Sequence, residues 1–353
     1  LEVRQRFESR SGVLFGQEPD LTAEFIRTKL GVTFKPKPWI KLVGVTQDTR
    51  APLYGRPAPG NVRDPLDLQQ AYVEVFSTRQ RGFGATIGRL MINLGDTRLI
   101  GSPQWAYVAR TWDAARVYHV SSHTRFEVLF LSTGVPKGDR FNKPVLGDRI
   151  WGTYNTFEKL WGKHTVDAYV LRHDQNRPGG FAGSGTLGLT LIGSRWALSL
   201  PRQSRVTWEG IVQRGHIGPL QHRASAFAVQ GAHITSVSAH RLELMAEYKF
   251  ASGTKAGSNT SGTFDPLYAG VHDKFGHVDL IGWKNVRNVR STATFTSKPD
   301  WNWVLMYNDS WLASPFDAGY STAAGPSHGP KLGMQVATLV RSWICTPTTQ
   351  REA

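Results

Sequence analysis

A chain of 353 residues carrying a net charge of +15 at neutral pH is long enough for two globular domains or for one large closed sheet. Only 40% of it is apolar, and no run approaches the roughly 20 apolar residues of a membrane-crossing helix, which excludes a helical membrane protein but not one built from strands with two alternating faces. Its single cysteine, Cys345, excludes an intramolecular disulfide framework and a cysteine-rich metal site, and the dispersed basic excess points to a polyanionic partner such as nucleic acid, lipopolysaccharide or an acidic polysaccharide.

Helical periodicity is weak, whereas segments of about ten residues alternate apolar and polar between Gly, Pro, Asp and Asn clusters. The first candidate strand lies near 2–8. In the second, over 25–34, Ile26, Leu30, Val32 and Phe34 fall on one side and Arg27 and Lys29 on the other, and the turn Lys35-Pro36-Lys37-Pro38 leads into a strand from Trp39 to Val43. Further candidates follow near 69–76, 84–93, 112–120, 124–132, 148–157, 164–172, 185–193, 204–213 and 221–230. Over 241–250, Leu242, Leu244, Ala246, Tyr248 and Phe250 oppose Arg241, Glu243, Glu247 and Lys249, and candidates near 286–296, 301–312 and 331–341 complete about sixteen strands.

Short turns such as Ser121-Ser122-His123 alternate with long polar loops such as 48–67, 133–147, 173–184, 251–275 and 313–330. Trp39, Trp151, Trp161, Trp208, Trp301, Trp303, Tyr307 and Trp311 lie near strand ends, as an aromatic girdle would. These features predict an all-β, antiparallel transmembrane barrel of about 16–18 strands with short periplasmic turns and long extracellular loops. The opposing expectation, a soluble sandwich or propeller, lacks a blade repeat.

The block Gly88-Arg89-Leu90-Met91-Ile92-Asn93-Leu94-Gly95-Asp96-Thr97-Arg98-Leu99-Ile100-Gly101, followed by Trp105, Arg110, Trp112-Asp113 and Arg116, resembles the alginate-export family of outer-membrane barrels. Arg6 to Gly12 resembles that family's opening strand, and Phe264-Asp265-Pro266-Leu267-Tyr268 with Asp279 to Asn285 its late loop and strand. The likeness runs from about residue 4 to residue 341, with Trp112 in place of the usual Phe. It implies a closed barrel of eighteen strands in the outer membrane of a Gram-negative cell. Residues 1–341 are then the barrel, and 342–353 an aberrant or truncated tail without the expected final amphipathic strand. The chain begins at Leu1 without a signal peptide, so a mature form or a fragment is expected.

A charge facing lipid near the midplane costs about 2–4 kcal/mol, so cations in the strands belong on the other face. Alternation assigns Arg4, Arg6, Arg27, Lys29, Lys41, Arg89, Arg116, Arg125, Arg205, Arg241, Lys249 and Arg290 to that face. Glu2, Glu8, Glu24, Glu74, Glu127, Glu209, Glu243 and Glu247 are their expected partners. With Arg98 and Arg110 these cations are candidates for a substrate path. Guanidinium groups bind carboxylates bidentately, although an Arg–Glu ladder that only satisfies buried charge is the blander expectation. Asp96 and Asp113, close in sequence to Arg98 and Arg110, are candidates for pinning a loop inside the barrel.

His216, His222, His233 and His240 lack the spacing of a zinc site, and Asp273 reads as part of a polar surface loop, so no metal or other cofactor is expected. Gly183-Ser184-Gly185 is not a nucleophile elbow, and no catalytic constellation is expected. The expected function is a monomeric channel passing an anionic polysaccharide or oligosaccharide, with a general anion-preferring porin and a soluble polyanion-binding protein as alternatives. Its expected partners are the polysaccharide or small organic anions, outer-membrane lipid and lipopolysaccharide, and periplasmic export proteins, but not nucleic acid.

Overall fold

The computed structural model of the protein describes residues 1–11, 20–55, 57–77, 81–136, 141–176, 185–238, 240–270, 272, 274–276, 281–298, 301–321, 326–328 and 340–348. The strand expected over 331–341 lies outside the described residues except for its last two positions, as do Asp273, Gly183 and Ser184 and the tail from 349 onward.

The strands in chain order are β1 (Glu2–Arg10), β2 (Leu21–Lys37), β3 (Ile40–Arg50), β4 (Asp64–Phe76), β5 (Gly82–Leu90), β6 (Trp112–Val120), β7 (Thr124–Val135), β8 (Lys143–Pro144), β9 (Asp148–Leu160), β10 (His164–Gln175), β11 (Leu187–Leu200), β12 (Ser204–Ile217), β13 (Leu220–Val237), β14 (His240–Ala251), β15 (Thr260–Ser261), β16 (Val286–Lys298), β17 (Trp301–Leu312), β18 (Gly319–Tyr320), β19 (Pro326–His328) and β20 (Val340–Thr348). Among the described residues sixteen of these are nine residues or longer, enough to cross a hydrocarbon layer at a tilt, which takes about 9–11 residues. The long strands pair in chain order within one sheet, which is not closed among the described residues. Their residues divide into two compact units: Leu1–Asn155 with Leu171–Gly188 and Leu267–Gly270, and Thr156–Val170 with Leu189–Pro266 and Val271–Ala353.

In the first unit β1 to β7 form an antiparallel meander. Its polarity is the reverse of a soluble domain's. Val3, Phe7, Leu30, Val32, Phe34, Ile87, Val117 and Val128 are exposed, while Arg27, Lys29, Gln47, Thr49, Asp64, Asp67, Gln69 and Glu127 are buried. A sheet presents such an apolar face to hydrocarbon and the polar face to its interior. The hairpin between β2 and β3 turns at Pro38 and Trp39, and a bulge between Phe34 and Lys37 lies at Pro36. Proline has no N–H to give the ladder, so the strand runs past it by skipping a rung rather than turning there. Glu24 lies on the face opposite Arg27, where it accepts from Gln5, because parity puts it with Ile26 and not with the cations it was expected to partner.

Close approach explains one glycine. A side chain at Gly84 would meet the ring of Tyr118 at 2.4 Å, so the ring lies across the neighbouring strand and its hydroxyl donates to Glu74 at 2.8 Å.

The second unit repeats both features. Trp208, Leu244, Trp303 and Leu305 are exposed, while Glu209, Gln213, Glu247, Lys249, Asn288 and Arg290 are buried. Tyr169 covers Gly193 and its hydroxyl donates to Glu209 at 2.8 Å. The strands β12 and β13 are joined by only two residues, Gly218 and Pro219, with Gly218 in the left-handed region at φ 56°. β20 pairs with β17 from Ser310↔Val340 to Asn302↔Thr348, so the boundary expected at 341 falls inside a strand. Ladder pairing requires only backbone groups, which the sequence there supplies without an amphipathic pattern.

Candidate functional site

The connection from β5 to β6, residues 91–111, is the structured loop of the first unit. Its tip is a tight turn in which Gly95 and Thr97 take left-handed conformations, and Thr97 N–H donates to the Leu94 carbonyl at 2.9 Å. Arg98 is buried and pairs with Asp96 at 2.8 Å. The segment 97–101 binds the short segment 267–270. Tyr268 N–H donates to the Leu99 carbonyl, Gly101 N–H to the Tyr268 carbonyl and Gly270 N–H to the Thr97 carbonyl. A side chain at Gly101 would come within 3.1 Å of the Gly270 nitrogen, so glycine there permits the approach.

The other limb of this loop lies on β1 and β2. Arg4 donates to the Gln104 carbonyl at 3.0 Å and the Trp105 carbonyl at 3.3 Å. Arg27 donates to the Ala106 carbonyl at 2.9 Å and pairs with Glu2, and Lys29 donates to the Gln104 side chain at 3.1 Å. Arg6 pairs with Glu8 and bonds the Tyr107 hydroxyl, and its guanidinium stands over the rings of Trp105 and Tyr107 at 4.0 and 3.8 Å. Tyr107 also stacks on Phe25 with centroids 3.9 Å apart, in a small apolar cluster with Ala23. Burial and the hydrogen bond it gives Glu8 push the Tyr107 phenol well above its ordinary pKa, so it donates at any physiological pH. Arg27 and Lys29 are buried under the loop, whereas Arg4, Arg6 and Trp105 keep accessible surface.

The remaining candidates of the first unit are separated by the strands that carry them. Arg110 binds the carbonyls of Gly101 and Tyr268 at 3.1 and 2.7 Å rather than a carboxylate, and burial pulls its pKa below the ordinary guanidinium value. Asp113 is held bidentately by Arg89 at 2.8 and 2.9 Å. Arg89 shares strand parity with the exposed Ile87, yet it reaches to 4.0 Å from the buried Asp67, and the positive φ of Gly88 between them breaks the alternation. Arg116 clasps Glu127 bidentately and Arg125 joins the same carboxylate at 2.9 Å. Lys41 pairs with Glu74.

In the second unit Arg241 and Arg205 share Glu243 and stay partly open to solvent. Arg290 and the fully buried Lys249 share Glu247 at 2.9 and 2.8 Å. Asn285, just before β16, holds the loop 313–321 by donating to the Ser314 and Ala318 carbonyls. Lys284 lies there, 4.5 Å over the ring of Tyr320. Burial outweighs the carboxylates of Asp265 and Asp317 and brings its pKa down to about 8.

Sequence pattern missed a buried group in the first unit, in which Asp148 accepts from Gln175 at 2.8 Å and from Tyr268 and lies 3.0 Å from His173. Only Tyr268 carried a signal, through its place in the late block.

The alginate export family model matches residues 1–345. Among solved structures, the chain is similar to OccD3 (OpdP) of Pseudomonas aeruginosa, with TM-score 0.57 and 10% identity over 88% of this chain and 70% of that one. OccK10 (OpdN) of the same organism gives 0.55 and 9% over 87% and 79%. OccAB1 of Acinetobacter baumannii gives 0.54 and 12% over 88% and 78%. These likenesses bear on the fold alone. Curated proteins give no match.

Proposed function

Because the chain belongs to the alginate export family and has the fold of an outer-membrane β-barrel channel, we propose that it passes an anionic polysaccharide or oligosaccharide of the alginate type. The observation that carries this reading is the β1–β2 face, where among the described residues Arg4, Arg6, Arg27 and Lys29 stand against Glu2 and Glu8. A docked loop presents Trp105 beside the two accessible guanidiniums. Arginine offers a carboxylate two parallel donors, and an aromatic ring offers a sugar an apolar surface. In this reading the loop 91–111 narrows the interior, Arg27 and Lys29 fasten it, and Arg4 and Arg6 meet the passing uronate groups. Weak, successive contacts let a chain both enter and leave. No residue is assigned a catalytic part.

A general anion-preferring porin is favoured by a different observation, that most cations of the strands already share a carboxylate, as Arg116 and Arg125 share Glu127. A soluble polyanion-binding protein is set aside, because both units expose large apolar side chains along their strands. Block of single-channel current separates the first two readings. Uronate oligomers are expected to interrupt the current at concentrations where neutral oligosaccharides of equal length do not. Block by the neutral sugars and not by the uronates would remove the acidic-polysaccharide reading.

A further inference from the structure

Near the long-loop end of β3 and β4, the polar face carries a group of oxygens that the channel reading does not use. Thr49 stands opposite Asp64 in the ladder and Gln47 opposite Asp67, and Gln69 donates to the Gln47 side chain at 2.6 Å. All five are at most 3% exposed. Asn142, from the loop before β9, lies on top of them. Its amide donates to Asp64 at 2.7 Å and to Asp67 at 2.8 Å, and its backbone N–H to the other Asp67 oxygen at 2.8 Å.

Two things are left over. Thr49 Oγ1, Asp64 Oδ1 and Gln69 Oε1 are buried oxygens with no hydrogen-bond partner among the described residues. The charge is also unbalanced, since among the described residues the cation that pairs with these carboxylates is Arg89, 4.0 Å from Asp67 and already engaged bidentately by Asp113. Buried carboxylates normally have a counter-charge, and buried oxygens a donor or a cation. Carboxylate, hydroxyl and amide oxygens together are the donor set of a hard cation.

We propose that Thr49, Asp64, Asp67 and Gln69 hold a hard divalent cation, Ca²⁺ by charge and donor type. Asn142 orients the two carboxylates, and water completes the shell. The ion would fasten the loop that carries Asn142 to the β3–β4 face. The proposal does not depend on what the channel carries.

The test uses full-length protein purified in detergent free of lipopolysaccharide, stripped with chelator and titrated with CaCl2, followed by calorimetry and thermal unfolding. Ca²⁺ is expected to bind with measurable heat and to raise Tm, both effects being lost in Asp64→Asn and kept in Asp48→Asn, a half-buried carboxylate paired with Arg50. Asn142→Ala is expected to weaken binding about 10–100-fold, as loss of an orienting partner does. Gln69→Glu acts in the opposite sense, lowering Tm in chelator while tightening Ca²⁺, so a poorly folding Asp64→Asn would not leave the matter open. No heat and no Tm change in the wild-type protein would overturn the site in favour of a buried water or a proton, and so would a Ca²⁺ response unchanged in both Asp64→Asn and Gln69→Glu.

Discussion

Burial of Lys284 makes a pH signature. Its amine is brought down to about 8 in the folded loops, against about 10.4 in an unfolded chain. Between those values the unfolded state binds more protons, so stability rises with pH across that window and is lost again as pH falls through 8. The difference is on the order of 3 kcal/mol at full effect. Lys284→Met is therefore expected to flatten the pH dependence of unfolding between pH 8 and 10.5, read by thermal scans in detergent. A residue of the opposite kind is Glu247, a buried carboxylate shared by Lys249 and Arg290. Glu247→Gln removes that shared counter-charge and should cost about 3–5 kcal/mol, seen as a fall in Tm with the strands still formed. The cationic residues themselves were legible, because alternation fixes the face of Arg27, Lys29 and Lys249. Most of their acidic partners were legible as well, since Glu2, Glu8, Glu74, Glu127, Glu243 and Glu247 each pair with one of them. Parity places Glu24 on the other face, and the backbone carbonyls that Arg4, Arg27 and Arg110 take were not legible, because they come from segments distant in sequence. Thr49 and Gln69 leave no mark in the sequence, because Thr and Gln are ordinary strand residues without a ligand spacing.

Strands were the most legible elements, because each alternates and each is bounded by turn residues. The limits moved where backbone rather than side-chain chemistry decides, as at Pro36, where β2 continues through a bulge, and at β20, where pairing proceeds without an amphipathic pattern. Glycines under aromatic rings are a further element-level device. Gly84→Val would displace Tyr118 from its strand and break its bond to Glu74, an overpacking expected to cost about 1–3 kcal/mol by chemical unfolding. Asp96, Arg98, Arg110 and Asp113 give grounds in the sequence to expect a pinned loop; in the loop 91–111 Arg98 pairs with Asp96, whereas Arg110 takes backbone carbonyls and Asp113 lies in β6 on Arg89, and the seat on Phe25 and on the β1–β2 cations has no mark in the pattern. Tyr107→Ala removes both the stack on Phe25 and the bond to Glu8. It is expected to free the loop and to raise single-channel conductance and open-state noise, whereas unchanged conductance would mean that the loop does not narrow the path.

At the scale of the whole molecule, the proposed function requires an interior with a positive excess threaded by paired acids, a reading that the net charge of +15 and the exposed apolar strand faces support. In that interior mixed pairing would moderate the field without cancelling it, and a low-dielectric wall would focus what remains on ions in transit. The most direct measurement is the reversal potential of purified protein in planar bilayers under a KCl gradient, with Arg4→Glu/Arg6→Glu alongside. The potential is expected to report chloride preference in the wild-type channel and to shift toward potassium in the variant. A wild-type channel that prefers potassium, or a preference that the double reversal leaves unmoved, would contradict the positive excess.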